Sequence, residues 1–428
     1  MHPTKAFVGA ILYYDIIKQR LNRLSIGGWK LKKILFISGS LGLGHIARDL
    51  EIAEKLRKSN PDFRIFWLAD YPATTVLKEA GEKLLPEAEL ITHGNQKLES
   101  NAKNHRANLT RWVMNMRKDW SKNAKLVIEV IQREKFDLVI GDETYDLVIE
   151  LLKDPKLKQF PFVIIYDFLG LDRVTNNPID VITTYYTNRL WTKVITNKPN
   201  VYDKTIFVGE LEDIQDKNFG FLLPNRRELA NKYFDFVGYI LNFDPKDYMN
   251  KEKIRKKLGY NSKDLLAVCS IGGTSAGKEL LDLAIKAVPL VRKEIPEFQM
   301  LLVLGPDVPL DYVRSIDGVT VTGYLPNLYK HLAAADLAIV TGGGTITLEL
   351  TALQKPFLYF PLENHFEQEI AVAQRCFRHR AGIKMSFSKT TPKILAKKIV
   401  DNIGKEVHNA QIPVDGARKA AEIINAIL

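Results

Sequence analysis

Short apolar runs alternate with helical stretches along most of the chain. The first clear example begins at residue 33, where the run 33–38 (KILFIS) is rich in β-forming residues and is followed at once by glycines. Apolar residues then recur with helical spacing at Ile46, Leu50, Ala53 and Leu56. This order predicts a strand, a glycine-rich turn and a helix.

The same alternation continues through the first half of the chain. Further apolar runs that predict buried strands are 63–69, 136–140, 162–166 and 205–208. Amphipathic stretches lie between several of these runs, notably at 111–133. Strands that alternate with helices predict a mostly parallel sheet with right-handed crossovers.

The pattern restarts after a polar segment at 224–245 that contains glycine and proline. A strand is predicted at 265–271, a glycine-rich turn at 272–277 and a helix at 279–291. Four more strands are predicted at 299–304, 319–322, 337–340 and 357–360. Two halves of the same design predict an α/β protein whose two Rossmann-like domains face a central cleft.

The predicted domain boundaries follow from these restarts. We expect a basic amphipathic extension at 1–31, a first domain at 32–235, a linker at 236–250 and a second domain at 251–428.

Composition narrows the class of protein. The chain has 428 residues, of which 46% are hydrophobic and 26% charged, which excludes a disordered, collagen-like or coiled-coil protein. The two cysteines, Cys269 and Cys376, form no disulfide framework or zinc motif, so a reducing compartment is expected. The apolar run at 6–14 is shorter than the ~20 residues that span a bilayer, and no secretory signal is expected. We therefore expect a cytoplasmic protein.

The net charge of +11 is concentrated in residues 1–33 and 97–125. Apolar side chains lie among these cations, including Phe7, Trp112 and Trp120. This combination favours an anionic membrane surface, so peripheral attachment to the cytoplasmic face, with a lipid-linked or membrane-associated acceptor, is expected. The alternatives are a solvated basic face, burial of both apolar faces in the first domain, or packing of residues 1–30 on a partner subunit. Nucleic acid is not expected, because no basic-aromatic motif of a known module is present.

The first glycine-rich turn ends directly at His45. Gly42 and Gly44 allow close approach of a ligand to the backbone. His45 lies at the predicted helix N-terminus, where the helix dipole favours the neutral imidazole and hence a general base. The alternatives are a histidine that caps the helix or packs on the sheet, and dinucleotide binding with Asp70 as the ribose ligand.

The second turn, 272–278, imitates a phosphate-binding P-loop. Glu279 stands where a P-loop needs a serine or threonine ligand for Mg²⁺, so we exclude a nucleoside triphosphatase. The small residues Gly273, Thr274 and Ser275 still predict an anion site for a diphosphate, formed by backbone N–H groups.

The third motif is a run of three glycines at the end of the strand 337–340. Close backbone approach is expected around Gly343, Gly344 and Thr345. Glu349 follows on the next helix, where its carboxylate can accept two hydrogen bonds from a ribose diol; the alternative is a surface glutamate. The polar segment 361–369 predicts a sugar-hydroxyl site, and its spacing matches no metal motif, so no metal is expected.

These three turns resemble those of GT-B nucleotide-sugar glycosyltransferases. The resemblance is strongest over 265–385, and it is to the family 28 type, which includes the lipid II-forming N-acetylglucosaminyltransferases and the galactolipid synthases. It implies that His45 is the base, that Gly273–Ser275 meets the donor diphosphate and that Glu349 binds ribose. Asp142 would orient His45, by analogy with a His–Asp pair in related plant enzymes; a helix cap is the alternative.

The resemblance also implies contacts to the base and to the sugar of the donor. Tyr324 and Leu325 match the pair that meets uracil, and Gln368 matches a contact to the donor sugar. The sequence departs from the family pattern at Glu367, where aspartate is common, and at Gly342 and Gly343.

The sequence therefore predicts a glycosyltransferase that moves a sugar from a UDP-sugar to an acceptor hydroxyl with inversion. The UDP-sugar is the co-substrate, and no other cofactor is expected. Two alternatives stay open. One is a UDP-sugar 2-epimerase of the same fold, which needs acid/base carboxylates in the cleft. The other is a non-catalytic sugar-nucleotide-binding subunit.

Overall fold

Two parallel six-stranded sheets form the framework of the protein. The structure is a computed structural model that describes residues 31–39, 42–91, 102–107, 109–197, 200–314 and 316–428. The first sheet has the order β2-β1-β3-β4-β5-β6 and the second the order β12-β11-β10-β7-β8-β9. The strands are β1 (Lys33–Ile37), β2 (Arg64–Leu68), β3 (Leu138–Asp142), β4 (Phe162–Tyr166), β5 (Lys204–Val208), β6 (Asp235–Gly238), β7 (Leu265–Ser270), β8 (Phe298–Val303), β9 (Val319–Thr322), β10 (Leu337–Thr341), β11 (Phe357–Phe360) and β12 (Ile383–Lys384).

Helices connect the strands and cover both faces of each sheet. In the first half they are α1 (Gly44–Ser59), α2 (Ala73–Glu79), α3 (Leu109–Glu134), α4 (Tyr145–Lys153), α5 (Pro178–Thr196) and α6 (Arg226–Tyr233). In the second half they are α7 (Lys251–Leu258), α8 (Glu279–Glu294), α9 (Leu328–Ala334), α10 (Gly344–Ala352), a π-helix (Glu367–Val372), α11 (Ala373–Arg378), α12 (Pro392–Asn402) and α13 (Gly416–Asn425).

The predicted fold class is confirmed. Each predicted strand is present within two residues of its expected bounds, and all pairs within the two sheets are parallel. The short strands β6 and β12 were not predicted: β6 (Asp235–Gly238) lies within the polar segment that was interpreted as a break between the domains, and the two residues of β12 are too few for a periodic signal.

Apolar side chains cover both faces of the first sheet, as a parallel sheet requires. Leu35, Val139 and Ile164 point to the face covered by α3, α4 and α5. Their neighbours Ile34 and Ile140 point to the opposite face, covered by α1 and α2. The strands therefore read as continuous apolar runs, which is why the sequence reveals them well.

The last helix, α13, packs on the first sheet although it follows the second sheet in the chain. Its apolar residues Ala417, Ala420, Ala421 and Ile424 recur at helical spacing and join the core cluster beside α1. The predicted second domain, 251–428, was drawn from chain order alone and therefore includes this helix. The predicted first domain ends at 235, whereas β6 continues the first sheet to Gly238.

Two apolar side chains on α3 do not lie at the surface that the predicted membrane contact requires. Met116 is 3% exposed, and Trp120 packs against the core of the first domain, so these two side chains do not face a lipid surface. The extension at 1–30 and the side chains of Trp112 and Val113 lie outside the described residues. Within the described residues, no helix is long and apolar enough to cross a membrane.

Hydrogen bonds hold the two sheets against each other across a cleft. The segment 102–107 reaches the second half of the chain, where the backbone N–H of Ala107 donates to the carbonyl of Glu363 at 3.0 Å. On another side of the cleft the Tyr71 hydroxyl donates to Asp307 at 3.0 Å. These contacts bring the carboxyl ends of both sheets to the same space.

Candidate active site

The carboxyl ends of the two sheets open on one cleft of about 730 Å³. Most of the predicted site residues line its wall, namely Gly42, Gly44, His45, Gly273, Thr274, Tyr324, Leu325, Gly343, Gly344, Thr345, Glu349, Glu367 and Gln368. Ser275 and Asp142 do not line it: Ser275 follows Thr274 in the turn, and Asp142 lies behind His45. The structure thus brings together residues that are up to about 320 positions apart in the chain.

His45 and Asp142 are in direct contact. His45 is the second residue of α1, and Asp142 is the last residue of β3. The Nδ1 atom of His45 is 3.0 Å from Oδ2 of Asp142. The aspartate is completely buried, whereas 13% of the histidine side chain is exposed. The imidazole is therefore held from behind and is accessible from the cleft.

Arg48 also binds Asp142, and this residue was not predicted from the sequence. It lies three residues after His45, on the same side of α1. Its Nε donates to Oδ2 of Asp142 at 2.9 Å and its Nη2 donates to Oδ1. Burial alone would raise the pKa of Asp142, but the charge of Arg48 and the hydrogen bonds from Arg48 and His45 lower it below its ordinary value. Asp142 is therefore a carboxylate.

Two more acidic residues, Glu143 and Asp167, lie beside the contact between His45 and Asp142. Arg48 also donates to Asp167, just after β4, at 2.5 Å. Burial raises the pKa of Glu143, and the neighbouring charge of Asp167 and a hydrogen bond with it raise this pKa further. Oε2 of Glu143 is 4.0 Å from Nε2 of His45. The site therefore places a carboxyl group with a raised pKa close to the exposed edge of the imidazole.

The glycine turns of the second half meet the start of α1. A Cβ atom on Gly273 would lie 2.9 Å from the backbone nitrogen of Leu43, and one on Gly44 would clash with the Thr345 hydroxyl. Only glycine allows these approaches without separating the two halves. The N-terminus of α10, at Gly344, also opens on the cleft with its unpaired N–H groups. The arrangement suits an anion between the two halves.

Glu349 lines the cleft one and a half turns into α10. Its side chain is half-buried, and burial raises the pKa of its carboxyl to about 8. Burial is the only cause of this shift, and no hydrogen bond within the described residues contributes to it. Glu349 is thus a protonated acid at neutral pH whose hydrogen-bonding groups are left for a ligand.

Two polar residues face the same space from the π-helix. Burial and the charge of Asp167 raise the pKa of Glu367 to about 7, against the opposing effect of His45 and Arg375. The side-chain oxygen of Gln368 accepts from the backbone N–H of Leu362 at 2.9 Å. This contact fixes the amide and leaves its NH₂ group to the cleft. A π-helix at such a position is common in functional sites.

No group of three or more histidine, cysteine, aspartate or glutamate side chains within the described ranges could hold a metal ion. The absence of a metal cofactor stays a prediction.

Three residues of the site were missed by sequence reasoning: Arg48, Glu143 and Asp167. Two signals could have identified them. Arg48 has the i+3 spacing that places it beside His45. Glu143 and Asp167 immediately follow two apolar runs, and these runs are neighbouring strands of one sheet. That neighbourhood depends on strand order, which the sequence alone does not give.

Comparisons with known proteins agree with this geometry. Residues 267–424 match the glycosyltransferase family 28 C-terminal domain. An uncharacterized glycosyltransferase of Methanopyrus kandleri is 26% identical over 196 residues, which cover 45% of this chain and 54% of that protein. The chain thus matches about half the length of this relative.

A second relative matches over most of both chains. It is the UDP-N-acetylglucosamine–N-acetylmuramyl-(pentapeptide) pyrophosphoryl-undecaprenol N-acetylglucosamine transferase of Clostridioides difficile, 23% identical over 87% of this chain and 82% of the relative. The fold is similar to that of a spinosyn rhamnosyltransferase complexed with thymidine diphosphate (TM-score 0.55, 13% identity, 92% of this chain and 95% of that chain). The predicted resemblance to family 28 is confirmed over residues 267–424, and both relatives are named as glycosyltransferases or sugar transferases, in agreement with the predicted enzyme class.

The raised pKa of Glu349 predicts a pH-dependent stability. The unfolded glutamate ionises near pH 4.3, whereas the folded one stays protonated up to about pH 8. The wild type should therefore lose stability progressively as pH rises from about 4 to 8, and Glu349→Gln should lose less, because only the contribution of Glu349 is removed. We expect the variant's advantage in free energy of unfolding to grow by on the order of 2–4 kcal/mol between pH 5 and 9.

Urea titrations at pH 5, 7 and 9 measure this difference. Glu252→Gln, an exposed position in the same half of the chain, is the control and should run parallel to the wild type. Parallel curves for Glu349→Gln as well would show that the carboxyl is ionised at neutral pH.

Proposed function

We propose that this glycosyltransferase moves a sugar from a UDP-sugar to an acceptor hydroxyl, with inversion at the anomeric carbon. The observation that carries the proposal is the position of His45. Its imidazole is held by Asp142 at 3.0 Å and stands at the junction of the two halves of the cleft. A base at this position can reach an acceptor in the first half and a donor in the second.

The second half of the cleft supports the donor assignment. The turn at Gly273 and Thr274 and the N-terminus of α10 present backbone N–H groups, which suit the diphosphate. Glu349 offers a carboxyl group to the ribose diol. Tyr324 and Leu325 line the same cleft, and the resemblance implies that they meet the uracil. The C. difficile relative is named for a UDP-sugar donor.

The proposed reaction begins with proton transfer to His45. Nδ1–H donates to the Asp142 carboxylate, so the lone pair of Nε2 is directed to the acceptor hydroxyl. As Nε2 takes the proton, the acceptor oxygen forms a bond to the anomeric carbon and the bond to the UDP oxygen breaks on the opposite face. This in-line displacement inverts the anomeric centre. Asp142 stabilises the imidazolium that forms.

Negative charge grows on the leaving UDP during this step. The backbone N–H groups of Gly273 and Thr274, with those at the start of α10, line the cleft before the reaction begins. Preorganised donors of this kind stabilise the transition state more than the ground state. The proposal requires the UDP-sugar as co-substrate and no further cofactor.

We also propose that the acceptor is lipid-linked or membrane-associated and that the protein attaches peripherally to the cytoplasmic face of the membrane. Exposed apolar side chains on the first half of the protein support this: Ile179, Ile182 and Tyr186 on α5 are 57–60% exposed. Phe221 and Leu222, on a nearby loop, are 79% and 85% exposed. Such a patch is costly in water and suits a lipid interface.

The carboxyl groups near His45 favour one second candidate. A UDP-sugar 2-epimerase of this fold needs acid/base carboxylates in the cleft, and Glu143, Asp167 and Glu367 lie there. Such an enzyme converts its UDP-sugar without any acceptor. A non-catalytic subunit would bind UDP-sugar and neither transfer nor hydrolyse it. A UDP-release assay over a panel of nucleotide sugars, with and without membrane lipid extract, identifies the transferase. Analysis of the recovered UDP-sugar for its epimer then separates the epimerase from the non-catalytic subunit.

The roles of His45 and Glu349 predict opposite effects on activity and on donor binding. His45→Ala should lower turnover ~10²-fold or more and leave UDP affinity nearly unchanged, because only the transition state uses the base. Glu349→Ala should weaken UDP binding by roughly 0.5–1.5 kcal/mol for each lost ribose hydrogen bond, because the carboxyl group is neutral. Calorimetry and initial rates measure the two effects separately.

Circular dichroism melting controls for folding in both variants. If His45→Ala loses stability and activity together, His45 is structural. If Glu349→Ala binds UDP as tightly as the wild type, Glu349 is not in the donor site and the residue matching to the family is wrong.

Membrane attachment predicts flotation with liposomes of anionic lipid. Binding should weaken in Ile182→Asn, which removes an apolar group from the exposed patch, and at high salt, which screens the basic segments. Glu406→Gln, an exposed substitution in the other half of the chain, should bind as the wild type does. Full-length protein that stays in the unbound fraction at low salt would contradict the attachment.

A further inference from the structure

The cleft has an apolar half that the proposed chemistry does not use. It extends from His45 into the first domain, between the sheet and the helices α3, α4 and α5. Six of the side chains that line it are Trp120, Val148, Phe168, Leu190, Trp191 and Val194. No charged group lies among these six, although charged groups line the cleft immediately beside them at His45.

Several of these side chains are not packed as core residues are. Trp120, Phe168 and Leu190 are only half-buried, although they lie inside the domain. Two buried polar atoms beside them, the Tyr145 hydroxyl and Trp191 Nε1, have no hydrogen-bond partner in the described structure. Apolar surface exposed to water costs about 25 cal/mol per Å². An apolar ligand in the cavity would cover this surface and remove the cost of its exposure.

The apolar lining continues to the protein surface along α5. Ile179, Ile182, Tyr186 and Leu190 are spaced by three and four residues, so they form one stripe on this helix. The first three are exposed, and Leu190 lines the cleft. The stripe therefore connects the cavity with the exposed apolar patch and gives a long chain a way out.

The distance from the base to the apolar wall is short. Glu143 lies 4.0 Å from His45, and Tyr145 follows it by two residues at the start of α4. Phe168 directly follows Asp167, whose carboxylate accepts from Arg48. The apolar wall therefore begins directly beside the base.

We propose that the cavity binds the apolar chain of the acceptor and that this acceptor is a lipid alcohol whose hydroxyl lies close to its chain. The hydroxyl would reach His45, the first part of the chain would fill the cavity, and the rest would leave along the α5 stripe. The position of the hydroxyl rests on the proposed function; the binding of the chain does not. The proposal thus excludes a lipid whose hydroxyl is carried on a large sugar or peptide head group.

Farnesol, a C15 isoprenoid alcohol, tests the cavity directly. Its binding to the full-length protein can be followed by the fluorescence of Trp120 and Trp191, which line the cavity. Val194→Phe fills the cavity and should weaken farnesol binding about tenfold or more. Val181→Phe makes the same change at an exposed position of the same helix and should change binding less than about twofold.

A second variant keeps the test valid if Val194→Phe fails to fold. Thr187→Phe enters the cavity from a half-buried position and should weaken farnesol binding as Val194→Phe does. UDP binding, measured by calorimetry, should be unchanged in all three variants, since the donor half of the cleft is untouched. Wild-type protein that does not bind farnesol, or cavity variants that bind it as tightly as the wild type, would overturn the proposal.

The exit along α5 is tested by chain length. Ile182→Asn should weaken binding of the C20 alcohol geranylgeraniol and leave that of the C10 alcohol geraniol unchanged. Equal effects on both alcohols, or none on either, would overturn the exit route.

Farnesol binding and UDP release together test the lipid-binding cavity and the proposed sugar transfer separately. If farnesol binds and the variants behave as expected, but no UDP-sugar releases UDP, the cavity stands and the proposed transfer fails. If UDP-sugar is consumed with a polar, water-soluble acceptor while farnesol does not bind, the transfer stands and the lipid acceptor fails.

Discussion

A single guanidinium group determines the geometry of the site. Arg48 is 8% exposed, and it donates to two carboxylates, Asp142 and Asp167, at the ends of neighbouring strands. Without it, two negative charges would lie close together in a region of low dielectric, beside a third acidic group, Glu143. Breaking a buried ion pair by removing one partner costs roughly 3–5 kcal/mol. The network therefore fixes α1 to the ends of β3 and β4.

The position of α1 in turn sets the cleft. Because α1 is anchored through Arg48, its first residues meet the glycine turns of the second half of the protein. The contacts of Leu43 with Gly273 and of Gly44 with Thr345 leave no space for larger residues at these glycines. His45 is then placed between a polar half that suits a nucleotide diphosphate and an apolar half that suits a lipid chain. One anchored helix start thus joins the two binding regions.

Much of this could be predicted from the sequence, because parallel strands buried on both faces are continuous apolar runs and glycine turns follow them directly. The three turns, His45 and Glu349 were found in this way. The contact between His45 and Asp142 was expected only from a resemblance. Arg48 and Asp167 were missed, because their partners depend on which strands are neighbours. The place of α13 was missed because a chain that returns to its first domain leaves no local signal. The cavity was missed because its lining residues look like core residues in the sequence.

Whether His45 can act as a base depends on the position of one hydrogen atom on its ring. Nδ1 lies 3.0 Å from the Asp142 carboxylate and 2.7 Å from Nη2 of Arg48. In the neutral ring it can donate to the first or accept from the second, and only the first choice leaves Nε2 free to act as a base. Nitrogen-15 NMR of histidine-labelled protein with UDP bound, assigned with His45→Gln, measures the choice. The account predicts a protonated Nδ1 and an unprotonated Nε2; a protonated Nε2 with an unprotonated Nδ1 would contradict it.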